Sequence, residues 1–365
     1  MRIGLANLPL LLALDIFAPG EFFLLVMLKV LGQGIIGGTL FSYVFLFSLT
    51  GTFASAALMY LLRKFLGKKY LGFAGLGCAG AMASNGIQLV LARYLIFGAS
   101  LRYLIPPFLA SGFITGIVLG LICAYFCRHS RWYAAAEAGE TPPHEDAPAG
   151  PVLPDLTPVQ KQRRIDLFNA DELCAAGLLM ALIFLLSRSM PGRVAQLLFF
   201  CLLARLLGKK INLFATLIFM AGIVFFNLLA PYGKVLAVFG PLQITQGSLF
   251  TGLEKALTLE GLLMLSRACV KSDLRLPGTI GSLLGESLRI LELMREKKSI
   301  RLLQKPISRG HIIAGIDRLM LEMEAASNSV TENAPRRKPQ RSIKGILILC
   351  VIVLLTAVMG IGIGD

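Results

Sequence analysis

The run LIPPFLASGFITGIVLGLICAYFC, from Leu104 to Cys127, carries no charged side chain between Arg102 and Arg128. At about 1.5 Å per residue, a helix of that length crosses the roughly 30 Å hydrocarbon core of a bilayer. Helix is the conformation expected there, because lipid offers no partner to an unpaired backbone N–H or C=O. Gly112, Gly116 and Gly120 recur within it at four-residue intervals, and Gly34 and Gly38 repeat the spacing. Glycines so placed share one helix face and let a second backbone approach; the same face could instead form a substrate wall.

Working outward, apolar runs lie at 4–17, 21–38, 41–62 and 72–92 as well as 104–127, which makes five candidate spans, the first of them short. The whole chain of 365 residues is 56% hydrophobic and 16% charged, against about 25% charged in a soluble domain. A membrane protein is the reading that follows. The net charge of +15 then belongs to the positive-inside bias, and no zinc-finger or aromatic-basic motif argues for nucleic acid. Seven cysteines, at 78, 123, 127, 174, 201, 269 and 350, are scattered without a CxxC pair beside only three histidines. Neither a metal site nor a disulfide scaffold is suggested, and the cysteines read as small apolar fillers.

From Trp132 to Gln160 the character changes, with six prolines that forbid a continuous helix, so this stretch reads as a linker. Beyond it come candidate spans at 172–187, 194–208, 211–230 and 247–268, the last interrupted by Glu254, Lys255 and Glu260. Residues 269–342 mix Leu and Ile at helical spacing with many charges and read as amphipathic cytoplasmic helices. The basic run Glu332–Lys344 leads into a final apolar run, Ile346–Gly364, and serves as a topological anchor or an anionic-lipid contact.

Basic loops fix an orientation. Arg63, Lys64, Lys68 and Lys69 place one turn inside, Arg128, Arg131, Lys161, Arg163 and Arg164 place the linker inside, and 93–103 falls outside. Lys209 and Lys210 mark another inside turn, with Arg188, Arg193 and Lys234 outside. Counting back from Arg63 starts the first run outside, so either an upstream helix is missing from this chain or residues 1–17 do not fully span.

Polar residues in or beside the apolar runs are Asn7, Asp15, Lys29, Gln33, Asn85, Gln88 and Asn227. Such groups face a bundle interior or a cavity, and a ligand pocket built from Asn7, Gln33, Asn85 and Gln88 competes with plain interhelical hydrogen bonding. No phosphate-cradling G-x-x-x-x-G-K-[ST] loop, paired Asp-rich cluster, G-x-S-x-G elbow or HExxH helix is present, which disfavours an enzyme and an ATPase of the chain's own.

GLANLPLLLALDIF at Gly4–Phe17, KVLGQGIIGG at Lys29–Gly38, FSLTGTFASAALMYLLRK at Phe47–Lys64 and SNGIQLVLARYL at Ser84–Leu95 resemble the Gx transporter family, often labelled heptaprenyl diphosphate synthase component I. The resemblance covers about residues 1–130 and implies kinship with substrate-capture subunits of energy-coupling factor transporters; members of the Gx family usually carry six helices, with one before the GLAN segment. FGPLQITQGSLFTGLEKAL at Phe239–Leu257 resembles the transmembrane coupling component of that class. There an Ala-Arg-Gly element docks on ATPases; Ser308-Arg309-Gly310 is the nearest match here, and MEAAS at Met323–Ser327 lacks the arginine of the second. The resemblance makes Arg309 the coupling candidate, against a solvated helix-end charge.

The expected fold is thus an all-α, polytopic helical membrane protein with two transmembrane bundles, amphipathic cytoplasmic helices and a C-terminal membrane helix. Its units are a capture bundle at 1–130, a Pro-rich linker at 131–165, a coupling-like region at 166–342 and a terminal helix at 343–365. The expected function is ATP-driven uptake of a small organic nutrient, vitamin-like or flavin-related by family, with separate ATPase subunits as partners. Membrane lipids surround it in a bacterial cytoplasmic (inner) membrane, and no cofactor, metal or nucleic acid is called for. The alternative is a noncatalytic membrane subunit associated with heptaprenyl diphosphate synthesis.

Overall fold

The computed structural model describes residues 7–138, 169–187, 189–209, 211–239, 242–271, 274, 278, 281–285, 287 and 343–361. Pro9 opens a helix of six residues, α1 (Leu8–Ala13), whose Leu10, Leu11, Leu12 and Ala13 are buried. At about 9 Å it does not cross a bilayer, so the first apolar run is not a span. α2 (Pro19–Ile36) starts where Pro19 fixes φ and the Glu21 carboxylate accepts from the Ala18 N–H at 3.3 Å. α3 (Tyr43–Tyr70) is interrupted at Gly67, whose φ of 68° turns Lys68–Tyr70 away from the helix axis. α4 (Phe73–Ala92) passes through a π-turn at Arg93–Phe97 and a 3₁₀ turn at Gly98–Tyr103 into α5 (Ile105–His129), which carries Pro in its first turn. α6 (Arg131–Ala138) follows, so the stretch read as the start of a linker is helical and packs Trp132 and Tyr133 onto the bundle. The rest of that linker lies outside the described residues.

The glycines of α5 bring it into backbone contact with α4. A methyl group added at Gly116 would sit 2.7 Å from the Gly77 carbonyl oxygen and 2.8 Å from Cys78 Cα, and one at Gly120 would strike Phe73 O and Ala74 Cα. On the other face of α4, Gly80 lies against Ser55 and Met59 of α3, and Gly51 of α3 lies against Ser84 and Gln88.

Among the described residues, four helical stretches are long and apolar enough to cross a membrane: Pro19–Ile36, Tyr43–Tyr70, Phe73–Tyr103 and Ile105–His129. All belong to the N-terminal bundle, and this overturns the expectation of two transmembrane bundles. In the second region α7 (Ala170–Leu186), α8 (Met190–Leu206) and α9 (Leu213–Leu228) have 17, 17 and 16 residues, short of the ~20 that a bilayer needs. α10 (Gln246–Cys269) has 24 residues but carries Glu254, Lys255, Glu260 and Arg267. Its apolar side is core: Leu257, Leu262, Met264, Leu265, Ala268 and Cys269 are buried among α7 and α8. The terminal helix α11 (Ile343–Ile361) is likewise not the expected C-terminal membrane helix, because its apolar part, Gly345–Gly360, is also short. It packs on α7 and α8, where Gln196 Nε2 donates to Thr356 O at 2.8 Å. The amphipathic cytoplasmic helices expected within 269–342 lie outside the described residues apart from 269–271, 274, 278, 281–285 and 287. A two-stranded antiparallel hairpin, β1 (Val235–Phe239) and β2 (Leu242–Thr245), departs from the otherwise helical architecture and feeds directly into α10.

The two regions pack together. α10 lies over the α2–α3 turn and the α4–α5 connection: the Phe41 N–H donates to Ser266 Oγ at 3.1 Å, and Gly38 sits against Arg267. Ile96, Ile223, Ala256 and Leu259 share a buried cluster, and Asn227 Nδ2 reaches Ile96 O at 3.2 Å. α3 runs about 30 Å from Tyr43 to Arg63, so α10 and the Arg63 turn occupy opposite ends of the bundle. Lys209 lines a cleft with Gly37, Gly38 and Arg267. It therefore stands at the end remote from Arg63, not on the same side as loop basicity suggested.

Two outcomes follow. Gly116→Val should lower thermal stability in detergent by about 1–3 kcal/mol through overpacking against backbone, whereas Gly86→Ala, with nothing within 4 Å of the added Cβ, should leave it unchanged or slightly raised. Glu260, buried, has its carboxyl pKa raised by burial, opposed by the hydrogen bond from Thr216 Oγ1 at 2.9 Å and by Arg267. A raised folded-state pKa favours the protonated folded form, so the contribution is present at low pH and lost as pH rises through that value. Glu260→Gln should raise the melting midpoint at neutral pH, and the gain should vanish as pH falls towards about 4.3.

Candidate binding site in the N-terminal bundle

Between α1, α3, α4 and α5 lies a cavity of about 30 Å³, lined by Asn7, Ser55, Met59, Gly77, Thr115 and Gly116 among others. That is room for about one or two water molecules, far below the ~300 Å³ at which small-molecule pockets begin. The glycines that close α4 on α5 are the reason it is small. A second cleft, about 200 Å³, lies where the two regions meet, between Gly37, Gly38, Lys209, Arg267 and Val270.

Of the four pocket residues expected from the sequence, Asn7 alone lines the inner cavity. Its Oδ1 accepts from Lys29 Nζ at 2.5 Å, tying the start of α1 to the middle of α2. Asn85 Nδ2 donates to Phe108 O at 2.9 Å and abuts Gly112, so it holds α4 to α5. Gln88 Nε2 donates to Ser84 Oγ at 3.0 Å, where both side chains fill the space left by Gly51. Gln33 is half-buried on α2 and is not among the residues lining the cavity. Arg309 lies outside the described residues.

Lys29 is the unusual group. A cation near the middle of a spanning helix costs about 2.5–3.5 kcal/mol on insertion scales, yet among the described residues it forms no ion pair, and its polar partner is the neutral Asn7 amide. Ser55, 2% exposed, makes no hydrogen bond with a described residue, whereas Thr115 Oγ1 is engaged by Ser111 O at 2.8 Å.

At the Arg63 end stands a network that sequence reasoning did not assemble. Arg63 Nε donates to Asp15 Oδ1 at 2.7 Å, its Nη2 to Asp15 Oδ2, and its Nη1 to Leu71 O at 2.9 Å. The guanidinium also lies over the Phe73 ring, 5.3 Å from its centroid. Asp15 and Arg63 side chains are 4% and 11% exposed. Lys68 pairs with Glu137 of α6 and comes within 4.0 Å of Asp15. Both charges were visible at the edges of apolar runs; their separation of 48 positions hid the pairing. Among the described residues no cluster of three or more His, Cys, Asp or Glu side chains could hold a metal ion.

Residues 1–126 match the family described as heptaprenyl diphosphate synthase component I, a segment that takes in the four membrane-length helices nearly to the end of α5. Residues 172–272 match a second family, described as a domain of unknown function (DUF8519), and this segment spans α7 to α10. No curated protein and no solved structure matches the chain. The N-terminal region is therefore a membrane bundle similar to a transporter-like membrane family, and the two matched segments coincide with the two packed regions.

Arg63→Met leaves buried Asp15 with only the Lys68 ammonium, 4.0 Å away, and should cost about 3–5 kcal/mol of stability. Combining it with Asp15→Leu should recover most of that loss, a coupling read by a double-substitution cycle of melting midpoints in one detergent.

Proposed function

We propose that the chain is a noncatalytic subunit of a bacterial cytoplasmic membrane that holds a soluble prenyl synthase at the bilayer during heptaprenyl diphosphate synthesis. The observation that carries this reading is the coincidence of the component I match with a tightly closed four-span bundle. A growing isoprenoid chain is apolar and partitions into lipid, so a membrane-fixed synthase releases its product where that product is soluble. A bundle with an inner cavity of about 30 Å³ suits anchoring better than capture of a nutrient.

A second reading rests on Asn7 and Ser55, which line the inner cavity, and on Lys29, which bonds Asn7. In it the bundle captures a small organic nutrient, vitamin-like or flavin-related, and separate ATPase subunits drive uptake through contacts at Arg309. It requires α4 and α5 to separate from their present contact.

Affinity purification of the full chain from native membranes, in mild detergent with added lipid, separates the two. The expected co-purifying partner is a soluble, Asp-rich prenyl synthase. Recovery of paired nucleotide-binding ATPases without a synthase, lost on Arg309→Ala, would replace the first reading with the second.

A further inference from the structure

We propose that the cleft where the two regions meet binds a phosphate group, with Arg267 and Lys209 as its cationic donors. The two cations come from separate elements: Lys209 follows the end of α8, and Arg267 stands in the last turn of α10. Both line the same cleft, with Ile35, Ile36, Gly37 and Val270 as neighbours, and none of the described residues lining it is acidic. Lys209 Nζ donates to Val270 O at 3.4 Å, which holds the ammonium group at the wall. The stem of Arg267 lies against Gly38, whose φ of 58° shapes the turn after α2.

Helix-end electrostatics is the competing account of these cations, since the carbonyl ends of α2 and α10 favour positive charge. Yet among the described residues the Arg267 guanidinium donates to no carbonyl and forms no ion pair. Glu260, two turns earlier on α10, attracts it but takes its hydrogen bond from Thr216. Other packed arginines show what a structural role looks like. Arg63 holds a carboxylate and a carbonyl, and Arg193 holds the Ser187 carbonyl, Glu254 and Thr258. Arg267 instead presents a planar fork of N–H donors beside an ammonium group, an arrangement that matches the oxygens of a phosphate. The cleft of about 200 Å³ has room for about six waters at ~30 Å³ each, enough for a phosphate group with part of its hydration.

A lipid headgroup and a free phosphate ion present this chemistry alike. Position favours the headgroup: the membrane-length stretch of α2 ends at Ile36, which lines the cleft and is 55% exposed. An acyl chain lying along α2 would bring its phosphate to the cations. The inference concerns the joint between the regions and holds whether a synthase or paired ATPases co-purify.

The test uses the purified full chain in phosphatidylcholine nanodiscs. Phosphatidic acid is added to the discs and its retention read by native mass spectrometry; inorganic phosphate is titrated into lipid-neutral discs by calorimetry. Arg267→Gln should weaken binding at least about tenfold and Lys209→Gln about three- to tenfold. Lys69→Gln removes the same charge from an exposed residue at the end of α3 and should change binding by less than about twofold. Retention of phosphatidic acid identifies a lipid headgroup, whether or not phosphate also responds, and a phosphate response alone identifies a free ion. Absence of both in the unmodified chain, or a loss in Lys69→Gln as large as that in Arg267→Gln, overturns the proposal. Should Arg267→Gln fail to fold, equal binding by Lys209→Gln and the unmodified chain overturns it.

Discussion

The bundle depends on the contact between α4 and α5. Helices in lipid gain little from burying leucine against leucine, since the hydrocarbon around them is equally apolar. Cohesion must come from close packing, and here it comes from backbone meeting backbone where Gly116 and Gly120 face Gly77 and Ala74. α3 then docks on the opposite face of α4 by the same device, with Ser55 and Met59 set against Gly80. The small inner cavity is a consequence: side chains that would prop the helices apart are missing from the seam.

The two ends of this bundle are built differently. At one, Arg63 gathers Asp15, the Leu71 carbonyl and the Phe73 ring, fixing α1, α3 and α4 to one another. Asp15 follows a helix of six residues whose Leu10, Leu11, Leu12 and Ala13 are buried in the bundle core, and the ion pair adds a polar tie at its end. At the other end the joints are apolar and backbone-mediated: Ile96 packs with Ala256 and Leu259, and the Phe41 N–H reaches Ser266. That difference lets the second region bind one end while the charged end, with Lys68 and Glu137, faces away from it.

The parts legible in the sequence were those set by local spacing. Glycines at 112, 116 and 120 mark a packing face because helical periodicity alone puts them there, and Pro19 and Pro106 start helices for local steric reasons. What failed depended on partners far along the chain. An apolar run of 16 or 17 residues reads the same whether it meets lipid or another helix, which is why α7, α8 and α9 were mistaken for spans. Asn85 and Gln88 were read as pocket residues on polarity, but an amide in an apolar run can also close a helix seam, and both do so. Lys209 was assigned a side by loop basicity, which carries no orientation between helices that do not cross.

Asn7 is the one expected pocket residue that lines the inner cavity, and it shows what separates a structural polar group from an available one. Asn85, Gln88 and Arg63 each hold a partner across or along a helix contact. Removing any of them opens a joint, so their chemistry is committed to the fold. Lys29 and Asn7 satisfy each other only in part: one ammonium hydrogen meets one amide oxygen, and the positive charge remains. A methionine in place of Lys29 would fill a similar volume without the cost of placing an ammonium group in hydrocarbon. The cation is therefore costly to stability and supplies no joint comparable to Arg63. That makes it the position in the bundle where chemistry, more than packing, accounts for the residue.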